Sequence, residues 1–183
     1  VYAYLSTLRV NNCAFYDNLS SQGGALRFYQ STDSEVTNSV IFNNRALQYG
    51  GGIASLDSRN TFCNNLIYQN SSQFEAGGID IDGSSPTYIN CSVIENISEN
   101  APGAGVSCQN SNDVNLRNMI IQFNSPDGVS ISDSTVNISY SNIQGGFPGV
   151  GNFDMDPLFE DVLQGNFRLM QLDAGSPYQS PCI

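Results

Sequence analysis

Apolar residues along the chain fall in short alternating runs that are separated by Asn, Gly and Ser. A period of two is typical of β-strands, and the separating residues favour turns and left-handed backbone angles. No stretch of the sequence has a convincing helical period. The pattern therefore predicts an all-β chain that is built from many short strands.

The runs recur about every 26 residues, and two series of Asn mark the repeat most clearly. The first series has three steps of 26 residues and a last step of 28: Asn12, Asn38, Asn64, Asn90 and Asn118. The second series follows six residues later in each repeat: Asn18, Asn44, Asn70, Asn96 and Asn124. A β-sandwich also has short strands, but it gives no reason for one residue type to recur at this interval.

Three short strands and three turns fill a repeat of this length, and together they form one rung of a parallel β-helix. Successive rungs stack at the spacing of neighbouring strands, about 4.8 Å. We predict a right-handed, single-stranded parallel β-helix, or solenoid, of about five to six rungs over residues 1–145. Residues 146–183 are predicted to form an irregular C-terminal capping or docking region.

Both Asn series are predicted to have a structural role. An Asn that stacks on the equivalent Asn of the next rung can bond to it and to the turn backbone, and buried amides need such partners. We therefore expect both series to point inward as ladders. Five Asn residues lie in glycosylation sequons: Asn18, Asn70, Asn90, Asn96 and Asn137. Four of them belong to the ladders, which leaves Asn137 as the candidate glycan site.

The charge balance excludes several kinds of partner. All six basic residues are Arg, and 17 acidic residues give a formal net charge of −11. A nucleic-acid ligand requires a basic face, and an anionic membrane surface is disfavoured for the same reason. No apolar run approaches the roughly 18 residues of a membrane span. We therefore expect no nucleic-acid partner and no membrane insertion, and the lack of His and Lys removes catalysis by either residue.

Two glycine-containing motifs resemble those of a known group. The segments 23–26 (GGAL) and 51–53 (GGI) are similar to the GGAI-type motif of bacterial surface β-helix repeats. The segment 15–18 (FYDN) matches the companion FxxN motif of chlamydial polymorphic outer-membrane proteins, although other rungs have Ile or Val in place of Phe. The stretch 151–159 is similar to the end of β-helix proteins of environmental bacteria. The resemblance implies a pectin-lyase-like fold on a secreted or cell-surface protein, often without known activity.

Pectin-lyase-like folds also support lyases and hydrolases, so we considered the carboxylates individually. Alignment of the repeats places Asp80 and Asp82 on one outward face, where they could bind Ca²⁺. Asp154 and Asp156 form a second such pair, in a loop where carboxylates commonly accept backbone N–H bonds. Ca²⁺ at either pair is the candidate metal, and no other cofactor is expected. Five Cys without a CxxC spacing do not indicate zinc.

An outward apolar strip is the other candidate site. Alternation places Tyr16, Phe42, Tyr68 and Ile94 in one outward row of successive rungs. A contiguous exposed apolar strip of this kind marks a contact surface more often than plain surface. The alternative is that the C-terminal tail folds back and covers the strip.

These observations favour a non-catalytic extracellular scaffold, either an adhesin segment or the subunit of a head-to-tail surface filament. The alternative is a carbohydrate-active enzyme or a polysaccharide-binding module, which the paired Asp residues and the outward Tyr16, Tyr29 and Tyr68 favour. We expect the protein to be extracellular or on the cell surface. The first strand, 1–5, is apolar and alternating, so another copy of the chain or missing upstream rungs are expected to cover it. A polysaccharide is the further candidate partner.

Overall fold

Each turn of the chain adds one short strand to each of three parallel sheets, which produces a parallel β-helix of about five turns. The computed structural model describes all 183 residues. The strands of sheet 1 are Tyr2–Tyr4, Leu26–Tyr29, Ile53–Leu56, Ile79–Asp82, Val106–Gln109 and Val129–Ser132. The strands of sheet 2 are Arg9–Asn11, Thr32–Thr37, Arg59–Cys63, Thr87–Ile89, Val114–Arg117 and Val136–Ser139.

Sheet 3 closes the coil, and a small fourth sheet follows it in the wide turn that leads back to sheet 1. The strands of sheet 3 are Ala14–Tyr16, Val40–Phe42, Leu66–Tyr68, Ser92–Ile94, Ile120–Gln122 and Asn142–Ile143. The two-residue strands of sheet 4 are Leu19–Ser20, Arg45–Ala46, Ser71–Ser72 and Ile97–Ser98. The structure contains no helix with the length and hydropathy of a membrane span.

Equivalent residues of successive rungs pair in register, so identical positions stack along the axis. In sheet 1, for example, Ile53 pairs with Ile79, and Ile79 pairs with Val106. The inward residues of all three sheets form one continuous core. The rings of Phe62 and Tyr88 stack there with their centroids 4.3 Å apart. Burial of each large apolar side chain stabilises the fold by about 1.5–3 kcal/mol, so the core is the main source of stability.

The bend between sheets 2 and 3 has the left-handed backbone conformation in each rung. The residues at this bend have φ between 51° and 57°: Asn12, Asn38, Asn64, Asn90 and Asn118. Asn enters this region more readily than most residues with a side chain. The backbone angle of the bend therefore explains why Asn recurs in the first series.

The chain beyond the last strand of sheet 3 folds back along the solenoid. Phe153 forms an isolated parallel bridge with Asn142. An antiparallel hairpin follows, with strands Phe159–Asp161 and Asn166–Leu169, and a 3₁₀ turn at Val162–Gln164 joins them. A second 3₁₀ turn, Leu172–Ala174, precedes the C-terminus.

Candidate functional site

The second Asn series forms a continuous ladder that is buried from Asn44 onward. Asn70 shows the pattern: its Nδ2 donates to Asn96 Oδ1 at 3.0 Å and to the Ile41 carbonyl at 3.0 Å. Its backbone N–H also donates to Asn96 Oδ1, at 3.0 Å. The same bonds recur from Asn18 to Asn124, and Gln144 Oε1 accepts the backbone N–H of Asn124 at 2.7 Å. Every buried amide in the series is thereby paired, although Asn18 itself is exposed.

The first Asn series lies on the surface, so the expectation that it points inward is wrong. All five members are exposed: Asn12, Asn38, Asn64, Asn90 and Asn118. The left-handed backbone turns each side chain outward, where Asn64 Nδ2 donates to Asn38 Oδ1 at 3.2 Å and Asn90 Nδ2 donates to Asn64 Oδ1 at 3.2 Å. These amides form a solvent-exposed ladder. It stabilises the fold less than the buried ladder does, because water competes for the same amide groups.

Two further inward ladders, which the sequence did not predict, run along the solenoid. In the middle rungs the residue after the bend Asn accepts a backbone N–H of the preceding rung, as Ser39 Oγ does from Cys13 at 3.1 Å and Asn65 Oδ1 does from Ser39 at 2.9 Å. A serine series between sheets 1 and 2 does the same, with Ser84 Oγ accepting from Ser58 N at 2.9 Å. Its members are Ser31, Ser58, Ser84, Ser111 and Ser134. Their recurrence every 23 to 27 residues is the sequence signal that could have identified them.

The sequons divide between surface and interior. Asn137 is exposed on the outer face of sheet 2 and remains the predicted glycan site. Asn70 and Asn96 are buried, but Asn18 and Asn90 are exposed. The inward orientation that removed Asn18 and Asn90 from consideration is therefore incorrect for these two residues.

Asp80 and Asp82 lie on the outer face of sheet 1, but they differ in exposure. Asp80 is only 4% exposed, and its carboxyl makes no hydrogen bond to the protein. Burial raises the pKa of Asp80 well above its usual range, and the nearby carboxylates of Glu75 and Asp82 raise it further. Asp82 Oδ1 accepts a bond from Asn110 Nδ2 at 3.0 Å. A Ca²⁺ ligand must be ionised, and burial opposes ionisation of Asp80.

Asp154 and Asp156 connect the C-terminal region to the last rung. Asp154 accepts hydrogen bonds from Gln122 Nε2 at 3.0 Å and from the Gly145 N–H at 3.1 Å. Asp156 accepts a hydrogen bond from the Leu158 N–H at 2.9 Å. Both carboxylates therefore have hydrogen-bond partners in the protein. The structure contains no group of three or more His, Cys, Asp or Glu side chains arranged to bind a metal ion.

The predicted apolar strip is shorter than expected. The rings of Tyr16, Phe42 and Tyr68 stack with centroids 5.2 and 5.1 Å apart, but Ile94 is fully buried. Phe167 of the C-terminal hairpin packs on Tyr68 at 4.9 Å. The tail thus covers the Tyr68 end of the strip, and the Tyr16 end stays open. Ile94 was wrongly placed on the exposed surface.

A second aromatic group lies on the outer face of sheet 1, and we call Tyr2, Tyr4, Arg27 and Tyr29 the tyrosine–arginine cluster. Tyr2 and Tyr4 are 55% and 49% exposed. The Tyr4 ring stacks on Tyr29 at 5.4 Å, and the Arg27 guanidinium lies 5.0 Å from the ring centre of Tyr2 and 5.9 Å from that of Tyr29. The sequence did not predict this cluster, because the pairing of 2–4 with 27–29 is needed to bring the four side chains together.

A cleft of about 410 Å³ lies between sheet 3 and the C-terminal segment. Met119, Tyr140, Phe153, Leu169 and Cys182 line it. All five Cys are free thiols. Burial raises the pKa of Cys91 to about 11 and that of Cys108 to about 12, so both thiols stay protonated at neutral pH and are weak nucleophiles.

Comparison with known proteins identifies the class of this chain. The family model described as the right-handed β-helix region matches residues 1–143, and the chain belongs to this family. The match and the parallel sheets confirm the predicted right-handed parallel β-helix. Searches of curated proteins and of solved structures found no match.

Proposed function

We propose that this chain is a non-catalytic extracellular β-solenoid scaffold, either an adhesin segment or a subunit of a head-to-tail surface filament. The proposal rests on the contrast between the inward and the outward residues of the rungs. The buried Asn ladder repeats one residue type in successive rungs, whereas the outward rows of sheet 1 change from rung to rung. One outward row of sheet 1, for example, reads Tyr2, Arg27, Ala54, Asp80, Ser107 and Ser130. A repeated interior with a varied exterior suits a rod that presents side surfaces to a ligand.

Self-association is the second part of this proposal. The outermost strand of each sheet has one edge without a strand partner, as Tyr2–Tyr4 has in sheet 1. Such an edge accepts a further strand, supplied either by another copy or by additional rungs of the same protein. Contact between unlike ends propagates into a filament. The location outside the cell is supported by the resemblance of segments 15–18 and 23–26 to surface β-helix repeats.

A polysaccharide-binding or carbohydrate-active module is the second candidate. It is favoured by the tyrosine–arginine cluster and by the buried carboxyl of Asp80, both on the outer face of sheet 1. Acid–base hydrolysis of glycosides uses two carboxyl groups, one of which has a raised pKa, and burial raises the pKa of Asp80.

Incubation with pectins, alginates and other uronates over a range of Ca²⁺ concentrations separates the scaffold from a carbohydrate-active enzyme. The scaffold proposal predicts that the polymers keep their length and that no unsaturated, ultraviolet-absorbing product forms. Product formation that disappears in the Asp80→Asn variant would contradict it. Sedimentation over a range of protein concentrations tests the filament form separately, and it predicts growth of rods as the concentration rises.

A further inference from the structure

We propose that the tyrosine–arginine cluster binds an isolated anionic group, a carboxylate or a sulfate, that is carried by a polysaccharide. This inference deepens the polysaccharide-binding candidate of the proposed function and rests on it, since it assigns a ligand to one side of the rod.

Arg27 differs from the arginines that form ion pairs on this protein. Arg9, Arg45 and Arg59 each lie within 4 Å of a carboxylate. Arg27 has no such partner and makes no side-chain hydrogen bond, and its Nε is buried without an acceptor. An acceptor that reaches the guanidinium therefore meets a cation that no carboxylate of the protein already neutralises, and a charge-assisted hydrogen bond to it is stronger than a neutral one.

The surrounding rings hold Arg27 in place. Its guanidinium lies against Tyr2 and Tyr29, and Tyr4 stacks on Tyr29 and contacts Tyr2 with ring centroids 6.1 Å apart. The four side chains therefore form a closed square over two rungs. A guanidinium fixed in this way loses little rotational freedom on binding, and its planar fork matches a carboxylate or sulfate.

The charges nearby favour an anion at this position. The outward strand positions of the first two rungs in sheet 1 are the cluster itself and carry no carboxylate. Asp80 and Asp82 pair two rungs further along the sheet, roughly 10 Å away at the normal strand spacing. The cluster is thus a positive site at the end of an otherwise acidic face.

The same acidic face indicates a polysaccharide with widely spaced anions. A peptide in which every residue is acidic would bring charge against Asp82 and would be repelled. A polymer with neutral sugars between its anionic groups can place one anion at Arg27. Its hydroxyls can then donate to Asp82 and exchange hydrogen bonds with Gln109 and Ser132, which follow in the same row.

The test is a binding titration of the full chain with partially methyl-esterified polygalacturonate, in which carboxylates are spaced by neutral esters. Fully esterified polymer is the uncharged control, and lightly sulfated dextran against plain dextran tests the sulfate source. We expect binding to at least one of the two anionic polymers and at least about tenfold weaker binding to its neutral counterpart. Binding to the carboxylated polymer alone or to the sulfated polymer alone identifies the group.

Variants assign the binding to the cluster. Arg27→Gln should weaken polymer binding at least about tenfold, and Arg27→Lys should weaken it less. Arg59→Gln removes the same charge but should leave polymer binding unchanged. Thermal unfolding of each variant shows whether it is folded. The proposal is overturned if the wild type binds neither anionic polymer, if neutral polymers bind equally well, if Arg59→Gln matches Arg27→Gln, or if poly-glutamate binds more tightly than either polysaccharide. None of these outcomes bears on the turnover assay of the scaffold proposal.

Discussion

Asn96 Oδ1 accepts two hydrogen bonds from Asn70, one from the side-chain Nδ2 and one from the backbone N–H, both at 3.0 Å. One oxygen therefore joins the side chain and the main chain of the preceding rung. Because Asn96 donates in the same way to Asn124, the bonds continue along the axis. A substitution at one rung removes partners on two neighbours.

Asn70→Asp should lower the free energy of unfolding by about 1–3 kcal/mol or more, because it replaces a buried donor with an acceptor. The new oxygen would face Asn96 Oδ1 and the Ile41 carbonyl, which now accept from Asn70. Asn64→Asp is the matched control: it makes the same chemical change on the exposed ladder and should cost about 0.5 kcal/mol or less. Denaturant unfolding measures both. Equal losses in the two variants would contradict the assignment of Asn70 to the interior.

Asp80 should make the protein less stable as the pH rises. Burial raises the pKa of Asp80 in the folded state, so the folded chain binds more protons than the unfolded chain between the two pKa values. The stabilisation from Asp80 is full below the unfolded pKa, about 3.9, and it is lost as the pH rises through the folded pKa. Asp80→Asn should remove this dependence and stabilise the protein at neutral pH.

Unfolding measured across the pH range checks this, with Asp133→Asn as a control for the loss of one negative charge at an exposed position. The control should keep the wild-type slope. A pH profile of Asp80→Asn that parallels the wild type would show that folding does not raise the pKa of Asp80.

Gly78→Ala should destabilise the solenoid by about 1–3 kcal/mol through overpacking. A Cβ at Gly78 would lie 2.5 Å from the carbonyl oxygen of Gly105, which belongs to the backbone of the next rung and cannot rotate away. Gly128→Ala provides the comparison, because its Cβ would meet its nearest atom at 3.1 Å. Thermal unfolding should give Gly78→Ala a clearly lower melting temperature than Gly128→Ala. The reverse order would show that the rungs are not packed at this spacing.

Phe167→Ala should detach the C-terminal hairpin from the strip. Phe167 contacts the rings of Tyr68 at 4.9 Å and Phe159 at 5.5 Å, and each aromatic pair contributes about 0.5–1.5 kcal/mol beyond its burial. We expect lower stability and greater binding of a dye that reports exposed apolar surface. Phe167→Leu retains an apolar contact and should show a smaller change in both. Unchanged dye binding in Phe167→Ala would mean that the hairpin does not cover Tyr68.

The sequence predicted the features that depend on repetition, because stacking forces equivalent residues into equivalent environments. The strand pattern and the buried series from Asn44 to Asn124 are of this kind. The orientation of Asn64 was mispredicted, since an Asn that recurs for its backbone angle has the same spacing as one that recurs for its amide. The burial of Ile94 depends on how the rest of the chain packs around sheet 3, and the tyrosine–arginine cluster depends on the register of the first two rungs. Neither was accessible from spacing alone.

Residue-resolved hydrogen exchange of the native chain tests most directly whether the buried ladder ties the rungs into one rod. The backbone amides of Asn44, Asn70 and Asn96 donate to ladder oxygens, so they should exchange as slowly as the core strands and at similar rates in successive rungs. The backbone amides of Asn100 and Asn112 are in exposed turns and donate no hydrogen bond, so they should exchange faster. Exchange of the three Asn amides at the rate of the exposed turns, or independent opening of single rungs, would contradict a rigid solenoid scaffold.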